Sequence, residues 1–156
     1  MLSREFVSYA DIGVSVRELG QHVVASGYEP DWIVAIDRGS LLVGGGLGYA
    51  LGVKNIATLN VEFYTGIGER LPVPVELPPV LDLDVLATQR ILGADDVADS
   101  GGTLALVAEK LSASVSELRT AVLYQKPAST VNCDYVWRHT DLWIDFPWSS
   151  DPQIAP

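Results

Sequence analysis

Ile12, Val16, Leu19 and Val23 recur at i, i+4, i+7 and i+11, which places one apolar face along a helix. Ser8 and Asp11 stand just ahead of that face with capping-box spacing, Asp replacing the usual Glu or Gln, and Gly27 is the predicted stop. Ile33-Val34-Ala35-Ile36 is a continuous apolar run, the pattern of a strand buried on both faces. It ends at Asp37-Arg38-Gly39-Ser40. Leu41 to Gly52 reads as a glycine-loaded helix whose small residues allow close packing on a sheet. Ile56 to Val61 predicts a second strand. Pro72, Pro74, Pro78 and Pro79 then crowd the stretch from Leu71 to Pro79, a density that forbids helix and predicts an extended connection or an edge ribbon. Arg90-Ile91-Leu92-Gly93-Ala94 predicts a buried strand, Leu104, Val107, Ala108 and Leu111 a helix, and Ala121-Val122-Leu123-Tyr124 a further strand. Residues 90–124 thus make a β-α-β unit. The expected class is α/β, a central, mostly parallel sheet flanked by helices.

At about 150 residues per domain, the 156 residues predict one domain spanning 1–156. A hydrophobic fraction of 48% excludes a disordered chain. Ten Lys and Arg stand against twenty Asp and Glu, and no basic stretch offsets the net charge of −10. That argues against a nucleic-acid partner recognised by charge. The longest apolar run, Leu41 to Val53, is short of the ~18 residues of a spanning helix, so no membrane span is expected. Met1-Leu2-Ser3-Arg4-Glu5 has no apolar segment behind a basic cluster, so no signal peptide is expected. Cys133 is the only cysteine, which excludes an internal disulfide and a C-x-x-C site and predicts a cytoplasmic protein.

Ligands of open α/β sheets bind outside the carboxyl ends of the strands. Three polar clusters fall there. In Asp95-Asp96-Val97-Ala98-Asp99-Ser100-Gly101-Gly102-Thr103, three carboxylates stand in five residues ahead of a helix start. The carboxylates can accept from hydroxyls or hold a metal. The glycines and the helix end can cradle a phosphate, with Ser100 and Thr103 as hydroxyl donors. Taken alone, the segment also fits an acidic loop capping a helix. Arg38-Gly39 after the first buried strand is a second anion site by the same logic, or an ordinary βα turn. Lys126-Pro127 after the strand at 121–124 could donate to a carbonyl oxygen, or stand solvated at a turn.

Other motifs fail. The chain has no Gly-x-x-x-x-Gly-Lys-Ser/Thr, and Gly44-Gly45-Gly46-Leu47-Gly48 lacks the last glycine of Gly-x-Gly-x-x-Gly. His-Glu-x-x-His and Gly-x-Ser-x-Gly are absent, and His22 and His139 read as structural or exposed.

Two acids, two spacers and then Asp-Ser-Gly-Gly-Thr, running from Asp95 to Thr103, resemble the phosphoribosyl-diphosphate signature of type I phosphoribosyltransferases. Ser100 stands in place of the usual Thr. Ile33 to Leu51 resembles the family's diphosphate-binding loop and helix. Lys126-Pro127 with Asp141-Leu142-Trp143-Ile144-Asp145-Phe146-Pro147-Trp148 is similar to the 6-oxopurine branch, especially the xanthine–guanine type. The resemblance covers roughly residues 5–150.

It implies the type I phosphoribosyltransferase fold with a small C-terminal hood element, base-binding elements at about 126–150 and a mobile loop at about 62–75, around Gly66 and Gly68. It implies transfer of a 5-phosphoribosyl group from phosphoribosyl diphosphate to hypoxanthine, guanine or xanthine in purine salvage. Asp95 and Asp96 would hold the ribose hydroxyls and, with Asp145, Mg²⁺. Asp99, Ser100, Gly101, Gly102 and Thr103 would hold the 5′-phosphate, and Asp99 would also handle the proton at purine N7. Arg38 and Gly39 would grip the diphosphate. Lys126 would donate to O6, Trp143 would stack on the base, and Ile144 would offer backbone contacts to its edge. Asp37 and Ser40 depart from the family pattern, which commonly has a small or neutral residue and a Gly there. A homodimer or homotetramer is expected.

Two other readings stay open: a nucleotide-binding regulator of the same fold, and a transferase acting on another base. Asp99 and Lys126 favour catalysis. The missing basic face disfavours control of RNA or DNA. The lack of Lys between Ala57 and Arg70 disfavours an orotate enzyme.

Overall fold

The sheet order reverses between two central strands, and this reversal fixes where a ligand can bind. The computed structural model describes residues 3–36, 38–66, 69–77 and 81–156; Asp37, Gly68, Pro78 and Pro79 lie outside them. In chain order the elements are β1 (Arg4–Phe6), α1 (Tyr9–Ala25), β2 (Trp32–Ile36), α2 (Ser40–Leu51), β3 (Ile56–Gly66), β4 (Glu69–Leu77), α3 (Leu83–Leu86), β5 (Arg90–Ala98), α4 (Gly102–Leu111), β6 (Glu117–Gln125), β7 (Tyr135–His139), β8 (Trp143–Asp145) and α5 (Pro147–Ser150). Six strands form the main sheet in the order β4-β3-β2-β5-β6-β7; β1 and β8 form a separate two-stranded sheet. All neighbours in the main sheet are parallel except β3 and β4. From β2 the chain winds outward to β3, and from β5 it winds the other way to β6 and β7. The carboxyl ends of β2 and β5 therefore flank a topological switch point, the usual ligand crevice of such sheets.

The apolar runs become central strands because both sheet faces are covered. Ile33, Leu92 and Leu123 face α1 and α2, packing with Leu19, Val23 and Leu47. Val34, Ile91 and Val122 face the opposite layer, with Leu86, Leu104, Val107 and Leu111. Neighbouring residues point to opposite faces, so two buried faces need an unbroken apolar run. Each fully buried Leu, Ile or Val contributes about 1.5–3 kcal/mol.

At α1 the reciprocal cap is complete: the Asp11 amide donates to Ser8 Oγ at 3.1 Å, and the Ser8 amide donates to the Asp11 carboxylate at 2.8 Å. Gly27 ends that turn with φ +80°. On α2 a Cβ at Gly44 would stand 2.7 Å from Ala35 Cβ, so glycine lets this helix lie flat on β2.

Four features go beyond the sequence reading. β5 runs on through Asp95 and Asp96 to Ala98, because its backbone keeps pairing with β6, with Asp95 opposite Val122 and Ala98 opposite Gln125. β3 continues past its predicted end at Val61 to Gly66 and turns back as β4, an antiparallel edge strand of the kind the prolines predict. Pro72 and Pro74 fit there, since an edge strand need not donate outward. β7 joins the main sheet beside β6. The small separate sheet is built from both ends of the chain, β8 pairing with β1. Among the described residues no helix is long and apolar enough to cross a membrane.

Candidate active site

Pairing with β6 carries the backbone of β5 past its apolar core, and this draws Asp95 and Asp96 partly inside the protein. Asp95 is 8% exposed. Its Oδ1 accepts from Ser40 Oγ at 2.6 Å and from the Asp96 amide at 2.8 Å. Asp96 Oδ1 accepts from the Val97 amide at 2.8 Å. Burial pushes the Asp95 carboxyl well above the ordinary carboxylate range, and the neighbouring Asp96 charge pushes the same way, while the Ser40 hydroxyl opposes them. Burial also raises Asp96, against the hydrogen bond from Asp95 and the backbone amides. The pair thus concentrates negative charge where water does not screen it. Neither carboxylate is in an ion pair among the described residues.

The segment after β5 turns into α4 through Gly101, whose φ of +86° suits glycine. A Cβ at Gly101 would stand 2.9 Å from the Val131 amide nitrogen and 3.0 Å from that of Thr130. The loops after β5 and β6 are tied together: the Lys126 amide donates to the Ala98 carbonyl at 2.9 Å, and the Thr130 amide to the Ser100 carbonyl at 2.9 Å. Asp95, Asp99, Ser100, Gly101, Gly102 and Thr103 line a cavity of about 330 Å³ at the start of α4. The backbone and hydroxyls of Ser100 to Thr103 at the start of α4 suit a phosphate group, and the cavity has room for more than that.

The loop before α2 closes on the same acids. A Cβ at Gly39 would overlap Asp96 Oδ2 and stand 2.8 Å from Trp148 Nε1, so only glycine lets the chain pass between them. Trp148 stacks on Phe146 with centroids 4.7 Å apart and planes at 10°. Arg38 is exposed. On the far side, Lys126 Nζ lies 5.6 Å from the centre of the Trp143 ring, and Trp143 is 52% exposed. Ile144 is buried. Lys126 thus covers one face of the Trp143 ring; a flat ring stacked there would take the place of the ammonium, which could then donate at its edge.

The three polar clusters of the sequence thus form one chain of contacts, from the start of α2 through the acidic pair and the bound loops to Lys126 and Trp143. Asp145 stands differently. Its carboxylate oxygens accept from Arg4 Nη1 at 3.1 and 3.2 Å, and no three His, Cys, Asp or Glu residues gather as a metal cluster among the described residues. Two residues that the sequence named without a role stand in the site. Ser40 is a buried donor to Asp95, and Trp148 is the wall behind Gly39 and Asp96. Neither has a spacing that announces it; only the switch-point topology brings Ser40 to Asp95. Asp37 and part of the 62–75 loop, including Gly68, lie outside the described residues.

The chain is similar to known proteins in sequence and in fold. Over 127 residues, 80% of this chain and 71% of the relative, the sequence is 35% identical to a xanthine-guanine phosphoribosyltransferase of Gluconobacter oxydans (strain 621H). A xanthine-guanine phosphoribosyltransferase of Nitratidesulfovibrio vulgaris is 31% identical over 125 residues, 79% of this chain and 71% of the relative. The crystal structure of a purine phosphoribosyltransferase from Pyrococcus horikoshii Ot3 superposes with a TM-score of 0.82 at 30% identity, covering 98% of this chain and 99% of that one. Residues 8–154 match the family described as the phosphoribosyl transferase domain. The chain therefore belongs to the phosphoribosyltransferase family, with the α/β fold of its type I members.

Proposed function

We propose that this protein transfers the 5-phosphoribosyl group of phosphoribosyl diphosphate to a 6-oxopurine, releasing diphosphate and a nucleoside monophosphate, in purine salvage. The observation that carries the base class is the Lys126 ammonium set over the exposed Trp143 ring. Lysine has donors and no acceptor, so it suits a carbonyl at position 6. Its backbone is tied to the loop that lines the phosphate cavity, so base and donor subsites share one frame.

In this reading the amides and hydroxyls from Ser100 to Thr103 hold the 5′-phosphate, and Arg38 and Gly39 hold the diphosphate. Asp95 and Asp96 accept from the ribose hydroxyls. A ring nitrogen of the base forms the bond to C1′ as the bond from C1′ to the diphosphate oxygen breaks, and the electron pair leaves with diphosphate. Asp99 handles the proton at N7. Positive charge builds on the ribose as the bond breaks, so excluding water protects it from hydrolysis.

Asp95, buried, and Asp96, half-buried, are adjacent oxygen donors without an ion-pair partner among the described residues, a set that fits Mg²⁺. When bound with the donor, Mg²⁺ neutralises charge on the leaving diphosphate. A cytoplasmic location fits the single Cys133. A homodimer or homotetramer is part of the reading, supported by Leu41, Leu42 and Tyr49 exposed on the charge-free α2. Incubating the protein with phosphoribosyl diphosphate, Mg²⁺ and a panel of bases, and following diphosphate release, tests it. Release with a pyrimidine alone would reject the purine reading.

A further inference from the structure

β8 carries Trp143 and Ile144, and its strand partner is β1. Arg4, Glu5 and Phe6 stand opposite Trp143, Ile144 and Asp145. The ladder is extended at both ends: the Trp143 amide donates to the Ser3 carbonyl at 3.2 Å, and the Val7 amide to the Asp145 carbonyl at 3.0 Å. An isolated two-stranded pair of this length is marginal; this one is held by the burial of Val7, Ile144 and Phe146 in the core together with its side-chain ties.

Three such ties stand among the described residues. The Tyr124 hydroxyl on β6 donates to Glu5 Oε1 at 2.8 Å, and Arg138 on β7 lies 3.6 Å from the same oxygen. These fix β1 to the main sheet. Arg4 then donates to both oxygens of Asp145, whose side chain is 16% exposed. Asp145 thus has a cationic partner of its own, whereas Asp95 and Asp96 have none among the described residues.

We propose that β1 positions the base subsite, with Arg4 and Asp145 acting as positioning residues that hold Trp143 and Ile144 against Lys126, and that Asp145 is not a metal ligand. The proposal rests on the base-binding role of Trp143 and Ile144 given above. The chain of support runs from Tyr124 to Glu5, along β1 to Arg4, and through Asp145 to the backbone of β8. Loosening it lets the indole turn away from the lysine without touching the phosphate cavity.

The test compares Arg4→Ala, Asp145→Asn and Arg4→Lys in the full chain by two readouts. The first is amide hydrogen exchange of residues 143–145 without substrate. The second is the steady-state KM for base, the KM for donor and the Mg²⁺ requirement. Arg4→Ala and Asp145→Asn are each expected to speed exchange over β8 and to raise the base KM about two- to fivefold. The donor KM and the Mg²⁺ requirement stay unchanged, and Arg4→Lys restores most of the effect. Unchanged exchange over β8 in Arg4→Ala overturns the proposal. So does a raised Mg²⁺ requirement in Asp145→Asn that Arg4→Ala does not share. A wild-type protein that transfers to no 6-oxopurine removes the base reading alone. Faster exchange over β8 then still upholds the clamp, and unchanged exchange overturns it.

Discussion

Replacing Asp95 by Asn should make the protein more stable and less able to bind its donor. Asn keeps an oxygen that can accept from Ser40 Oγ and the Asp96 amide, the two bonds Asp95 Oδ1 makes now. Its new amide donor can face the Asp96 carboxylate, as the proton of a neutral Asp95 does. What disappears is the cost of a buried charge beside a like charge. At an effective dielectric near 20 that repulsion is of the order of 1–4 kcal/mol for neighbouring groups. For a chain this long each kcal/mol moves Tm by about 2–4 °C.

The sign follows from the raised Asp95 carboxyl. In the unfolded chain it ionises near pH 4, while the folded protein still holds the proton. Wild-type stability therefore falls as pH rises from there through the native value, and the penalty is complete above it. Asp95→Asn escapes that loss, so its advantage in Tm is near zero at about pH 4 and grows towards neutral pH. Thermal melts from pH 4 to 8 measure this, and calorimetric titration with phosphoribosyl diphosphate and Mg²⁺ measures the donor. A variant less stable than wild type at pH 8, or one that binds donor normally, would refute the reasoning.

Gly39 has φ −57°, open to any residue, so Gly39→Ala tests space alone. Its overlap with Asp96 and Trp148 should cost about 1–3 kcal/mol in urea denaturation and raise the donor KM. Asp95→Asn combined with Asp96→Asn should abolish transfer while circular dichroism shows a native fold; normal turnover would sink the ribose assignment. Burial pushes the Cys133 thiol up to about 11, so alkylation by iodoacetamide at pH 8 should run more than about tenfold slower than for a free cysteine.

The central strands and helices were legible because burial on both sheet faces writes itself as apolar runs and 3.6-residue periods. Ile33 to Ile36 and Ala121 to Tyr124 are such runs, and each became the buried, carboxyl-terminal part of a strand. The acidic pair was legible as chemistry but not as structure. Asp95 and Asp96 interrupt the apolar pattern, yet main-chain pairing with β6 does not depend on side-chain type, and the strand continues. β1, β7 and β8 were illegible for a different reason. Three to five residues give no period, and the pairing of β1 with β8 joins the two ends of the chain, Arg4 with Trp143. Ser40 reads in sequence as a departure from a common glycine. In the structure its hydroxyl gives a buried carboxylate a donor.

The central claim is transfer to a 6-oxopurine through Lys126, and the most direct measurement is kcat/KM for hypoxanthine, guanine, xanthine and adenine in the wild type and in Lys126→Ala. Adenine presents an amino group where Lys126 presents donors, and a site left with an unpaired charged donor rejects such an analogue strongly. Efficient transfer to at least one 6-oxopurine and negligible transfer to adenine are expected. Lys126→Ala should lose on the order of 1.5–3 kcal/mol in kcat/KM for the oxopurine, with little change in the donor KM. Efficient use of adenine by the wild type, or unchanged base kinetics in Lys126→Ala, would contradict it.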